Sequence, residues 1–180
     1  SKGSYSTVLL VVTLSFIMIT PFIYYRFLVD PEGLRGAYSI FAVATQGDYN
    51  LMIWMKENLS PNAVILVHPY EAGTFIPSIS HNKIVFPYTG SSLSSSYQTL
   101  VHLLENSTLN TTTYDLMFHW NVSYVFIGAK AIYLVPENSK WNPELFLGNP
   151  NFKLMNNSDG AYLFKIDYTN PDIVFLDDFE

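Results

Sequence analysis

The chain has no cysteine. That excludes disulfides, thiolate metal centres and a cysteine nucleophile, and leaves the fold to be held by its core alone. Charge is also scarce. Only 13% of the 180 residues are charged, about half of the ~25% usual for soluble domains. The nine Lys and Arg are scattered and the net charge is -6. Without a basic stripe to meet phosphates, nucleic acid is excluded as an expected partner. The sequence has no GxGxxG and no P-loop, so no phosphate cradle for a nucleotide is legible, and no cofactor is expected. Nor does it carry an HExxH. His68, Glu71 and His81 are the only set that invites a metal reading, and their spacing is unspecific, so no metal site is expected.

What the chain has in plenty is apolar surface: 49% hydrophobic residues, with 13 Tyr and 13 Phe. Part of it is concentrated near the start. Val8 to Tyr25, VLLVVTLSFIMITPFIYY, carries no charge. A helix of that length crosses most of a bilayer core of about 30 Å. Tyr24, Tyr25 and Arg26 stand where interfacial anchors belong, and Pro21 is tolerable near one end of such a helix. The spacing predicts a transmembrane helix within residues 1–29. Two alternatives compete: a signal peptide, although the nearest small-residue cleavage pattern, Ala42-Val43-Ala44, lies far downstream, and a buried soluble helix. The flanking charges, Lys2 before and Arg26 and Arg35 after, beside Asp30 and Glu32, leave the orientation open. The chain begins with Ser rather than Met, so a fragment or a processed product is expected.

Residues 30–47 read as a connector broken by Pro31, Gly33 and Gly36. From residue 48 the pattern becomes that of a folded domain extending to residue 168, followed by an acidic tail over 169–180 with Asp177, Asp178 and Glu180. Asp48 resembles an N-cap, and Leu51, Met52, Met55 and Leu59 fall on one helical face. Ser60-Pro61 closes that helix, because proline disfavours helical backbone in the residue before it. Ala63 to Val67 reads as a buried strand, Ala72 to Ile79 as a short turn-helix and Lys83 to Phe86 as a second strand. A Gly-Ser-rich loop follows. Ser94 to Ser96 can cap a helix bearing Tyr97, Leu100, Val101 and Leu104. Thr111 to Thr113 can cap another bearing Tyr114, Met117 and Phe118. Val122 to Ile127 is a third strand ended by Gly128. NFKLM, NNSDG and AYLFKI read as a β-hairpin with a polar loop. Strands alternating with helical segments predict an α/β class: an N-terminal transmembrane helix, then a layered α/β domain with a mixed, partly parallel sheet and a C-terminal hairpin.

The strongest local constellation follows the first strand. His68, Tyr70 and Glu71, with Thr74 and, after the second strand, Tyr88, are the candidate binding residues. Open α/β sheets bind ligands beyond the C-terminal ends of their strands. A carboxylate there can accept sugar hydroxyls, and a Tyr ring can stack on a sugar. A structural reading competes: Pro69 and Gly73 shape a turn, and Glu71 caps the short helix near its positive end. His102 and His119 read as solvated or packing residues. Asn106, Asn110, Asn121 and Asn156 head acceptor sequons for N-glycosylation, in mild excess over chance; Asn58 heads another, weakened by Pro61.

The order of these segments resembles the external C-terminal domain of multi-pass membrane proteins with a GT-C glycosyltransferase fold, in particular a group of prokaryotic GT-C-like proteins. The resemblance is carried by DYNLMIWMKENLSPNAVIL, HPYEAGTFIPSISHNKIVFP, WNVSYVFIGAK and FKLMNNSDGAYLFKI, and covers Asp48 to Ile166. It implies that residues 7–29 are the last span of a larger membrane protein, with the later domain outside the cell. It also implies a polyprenyl-phosphate-linked sugar donor and a catalytic carboxylate in an early external loop. That region is missing from this chain, so no catalytic residue is carried over. What the resemblance implies here is an accessory domain, positioning an acceptor or partner, with membrane lipid, the upstream helices and a glycan or other acceptor as its neighbours. The alternative is a single-pass, membrane-anchored extracellular module for binding or surface assembly, with no catalytic activity.

Overall fold

The computed structural model describes residues 44–86, 94–130 and 140–169. The expected membrane helix, most of the connector and the acidic tail, except Thr169, lie outside the described residues. Among the described residues no helix is long and apolar enough to cross a membrane.

Five strands form one mixed sheet: β1 (Val64–Val67), β2 (Lys83–Ile84), β3 (Tyr124–Ile127), β4 (Phe152–Ser158) and β5 (Ala161–Ile166). Their order across the sheet is β2-β1-β3-β5-β4. β1 pairs in parallel with both β2 and β3, and β5 pairs antiparallel with both β3 and β4. This is the mixed, partly parallel sheet expected from the alternation of strand and helix patterns.

The helices described are α1 (Gln46–Asn58), α2 (Ile76–Ile79), α3 (Ser95–Glu105) and α4 (Thr111–His119). Alternation along the strands sends side chains to two separate cores. Ile65, Val67, Phe126 and Leu163 face one side, where Leu51, Met52 and Met55 of α1 and Ile76 of α2 cover them. Leu66, Val125, Ile127, Phe164 and Ile166 face the other, under Tyr97, Leu100 and Leu104 of α3, Met117 of α4, and Trp141 and Phe146. Because both faces are covered, β1 and β3 are apolar at nearly every position. The stripe Tyr97, Leu100, Val101, Leu104 is buried throughout.

Several expected boundaries are corrected. The N-cap of α1 is Thr45, and Asp48 is the third helical residue of a capping box: the Thr45 hydroxyl accepts the Asp48 N–H and the Asp48 carboxylate accepts the Thr45 N–H. Either residue type can cap, but only the earlier one leaves the box partner a turn inside. For the same reason α4 is capped by Asn110, which pairs reciprocally with Thr113, rather than by Thr111 to Thr113. Phe118 stands 56% exposed at the end of α4 with its ring edge-on to Tyr168, not on the buried stripe. β2 holds two residues rather than four. Val85 makes one more bond to Ile65, and the chain then leaves the sheet ahead of Pro87, which has no N–H to offer. The hairpin loop is tighter than NNSDG implied. Asn156 to Ser158 continue β4, and only Asp159 and Gly160, at φ 42° and 86°, make the turn. Positive φ at both positions is the two-residue geometry that matches strand twist, and Asp-Gly tolerates it.

Candidate functional site

β1 lies between two parallel neighbours, one reached after it in the chain through α2 and one on the other side. The crevice beyond its C-terminal end is where a sheet of this kind offers a site. The chain leaves β1 as His68-Pro69-Tyr70-Glu71 and immediately folds into a 3-10 turn, Ala72–Phe75. Gly73 makes that turn possible: a Cβ there would stand 2.6 Å from the Cβ of Val67. A side chain would push the turn off the strand.

The structure sends the two chemical groups of this segment in different directions. His68 is fully buried. Its Nδ1 accepts the Tyr70 N–H at 3.2 Å, which places the ring proton on Nε2, facing Glu105 Oε1 of α3 at 3.2 Å. Burial pushes the His68 pKa below its ordinary 6.5, and the Glu105 hydrogen bond and charge only partly oppose that. The ring lies between Tyr70, at 5.8 Å, and Trp141, which meets it edge-on at 5.3 Å. His68 therefore acts as a buried neutral donor that orients a half-exposed carboxylate.

Glu71 turns the other way. It sits at the N-cap of the 3-10 turn, but its side chain caps nothing there. It is fully buried, and Oε2 accepts the N–H of Gly128, the first residue after β3, at 2.5 Å. The next N–H, of Ala129, donates to Asp48 Oδ1 at 2.8 Å, and Lys140 Nζ donates to the Ala129 carbonyl at 2.9 Å. Two carboxyl groups and an ammonium from three distant segments thus grip two consecutive residues at the end of β3. Burial raises the Glu71 pKa to about 8; the Gly128 N–H and Lys140 pull it down and the Asp48 charge adds to the rise. With no exposed surface, Glu71 is a clamp on the backbone.

Tyr70 is exposed and Thr74 half-buried, its hydroxyl 3.5 Å from the Glu71 carbonyl. Tyr88 lies outside the described residues. So the sequence-selected set divides. Tyr70 opens onto a cleft of about 570 Å³, lined by Pro69 and Tyr70 on one side and by Gln98, Thr99, Val101, His102 and Glu105 of α3 on the other. Glu71 is outside it. Sequence reading missed Glu105 and set aside His102. Glu105 Oε2 lies 3.9 Å from His102 Nδ1. The one legible signal was the i, i+3 spacing of His102 and Glu105 on the polar face of α3, beside the buried stripe.

His81 is exposed with φ 65°, and His119 is exposed with its ring edge-on to Trp120 at 5.7 Å. Among the described residues no group of three His, Asp or Glu is placed to hold a metal ion. Of the sequon asparagines, Asn106, Asn110 and Asn121 are exposed at helix ends and Asn156 is half-buried in β4. The Asn106 amide donates to the His102 carbonyl at 2.8 Å, at the edge of the same cleft.

No family model and no curated protein matches the chain. Among solved structures, the C-terminal globular domain of oligosaccharyltransferase from Archaeoglobus fulgidus is similar. Its identity is 15% and its TM-score 0.49, over 68% of this chain and 98% of that one. A likeness of that degree transfers no residue role.

Proposed function

We propose that this chain is the accessory external C-terminal part of a GT-C-like membrane glycosyltransferase. It positions an acceptor or partner while the chemistry is done by membrane helices outside this chain. The observation that carries the reading is the ordered set of segments from Asp48 to Ile166. Those segments form one mixed sheet with helices on both faces, and they open a cleft where β1 ends. In this reading residues 1–29 span the cell membrane, with membrane lipid and preceding helices as neighbours, and the α/β domain stands on the extracellular side. The domain has no catalytic role. Its contribution is a fixed surface over the membrane site.

The mass and membrane partitioning of the native, full-length gene product test this directly. A large protein extracted only by detergent is the expected result. A product matching the 20.5 kDa of this chain alone would sink the enzyme reading and leave a membrane-anchored binding module, whose charge-free run Val8 to Tyr25 would then be its sole anchor.

A further inference from the structure

We infer that the cleft between Pro69-Tyr70 and α3 is a binding site for an uncharged sugar ring, with Tyr70 as stacking platform and Glu105, oriented by His68, as hydroxyl acceptor. This rests on the accessory-domain reading for its biological setting, but not for its chemistry. The volume, about 570 Å³, lies in the roughly 300–1,000 Å³ range of small-molecule sites. Tyr70 keeps 38% of its surface exposed at the mouth, although a ring of that size normally finds cover. Opposite it, the Glu105 side chain is 26% exposed and His68 is fully buried. The His68 Nε2–H holds Oε1, and Oε2 lies 3.9 Å from His102 Nδ1. A buried imidazole spent on holding a surface carboxylate in one orientation is what a hydrogen-bonding site requires, and a solvated glutamate needs none.

The lining decides the ligand class. Among the described residues it contains no Lys or Arg, and the whole chain is acidic, so phosphate, sulfate or a carboxylated sugar meets no cationic partner there. A cation would be served by several acceptors. Among the described residues Glu105 is the only carboxylate in the lining, and beside it the Thr99 hydroxyl, which donates to the Ser95 carbonyl at 2.9 Å, keeps its lone pairs. A carboxylate and a hydroxyl that accept, beside one aromatic face, match the vicinal hydroxyls and apolar face of a pyranose.

The test is binding of the full 180-residue chain, in detergent, to an array of neutral glycans, with sialylated and sulfated glycans and a tri-lysine peptide as further probes. Retention of neutral glycans is expected. Tyr70→Ala and Glu105→Gln should each weaken it about tenfold, while Tyr70→Phe keeps it. Tyr70 is exposed and Glu105→Gln conserves shape, and unchanged tryptophan emission would verify that both variants fold. Absence of neutral-glycan binding, preference for a charged probe, or full binding by folded Tyr70→Ala would each overturn the assignment. Its failure is separable from that of the proposed function. Glycan binding by a 20.5 kDa single-pass product would remove the enzyme and keep the site; a multi-pass product whose domain binds no neutral glycan would do the reverse.

Discussion

Replacing Glu71 by Gln should make the domain more stable in mild base and flatten its dependence on pH. Glu71 ionises at about 8 in the folded chain, against an ordinary 4.5. A carboxyl whose folded pKa is raised is protonated in the native state and ionised in the unfolded one across the interval between the two values. The native state then holds the extra proton, so stability is fullest below 4.5 and is lost as pH climbs toward 8. Each pH unit in that window is worth somewhat over 1 kcal/mol, so passing from pH 5 to pH 8 should cost on the order of 3 kcal/mol. That is a substantial part of the roughly 5–15 kcal/mol available to a domain. Glutamine keeps a carbonyl oxygen to accept the Gly128 N–H, but it cannot ionise. His68, whose pKa is lowered, acts in the opposite sense, removing stability as pH falls below 6.5, and it does so equally in both proteins. The difference between them therefore isolates Glu71. Urea titrations followed by tryptophan emission, from pH 5 to 9, should give curves that nearly coincide at pH 5 and diverge with the variant above. Parallel curves across the range would refute a buried, proton-carrying Glu71.

Gly73→Ala should destabilise by about 1–3 kcal/mol, because its Cβ would press on Val67 and move the 3-10 turn; thermal melting of the variant would measure it. Asn110→Ala should cost about 1 kcal/mol by removing the capping box of α4, seen as a lower urea midpoint with an unchanged slope. Tyr97→Phe should cost about 1–3 kcal/mol, since the hydroxyl donates to the Val67 carbonyl at 2.8 Å in a buried setting. Amide exchange at the end of β1 should rise with it.

Much of the domain was legible because its strands are short apolar runs with sharp ends. Val64–Val67, Tyr124–Ile127 and Ala161–Ile166 stand close to where periodicity places them. The stripe of α3 was legible for the same reason. Helix starts were less so: a cap and its reciprocal partner are drawn from the same residue types, so Asp48 was read in the role that Thr45 fills. The site was legible only as a place. That β1 ends in a site-forming crevice follows from strand order. Which of its polar groups face outward does not, because Glu105 meets His68 across 37 positions and Glu71 meets Gly128 across 57. Both pairings depend on how α3 and β3 pack, which no local pattern encodes.

Strand order also bears on how the domain is made. β5 lies between β3 and β4, so the latest of the described strands to leave the ribosome completes the interior of the sheet. Until Ala161 to Ile166 has emerged, Val125 and Phe126 have no partner on that side. Synthesis proceeds at about 5–20 residues per second, so β5 follows β3 by several seconds. Pairing of the β3 edge is thereby deferred until β5, the latest of the described strands, has appeared.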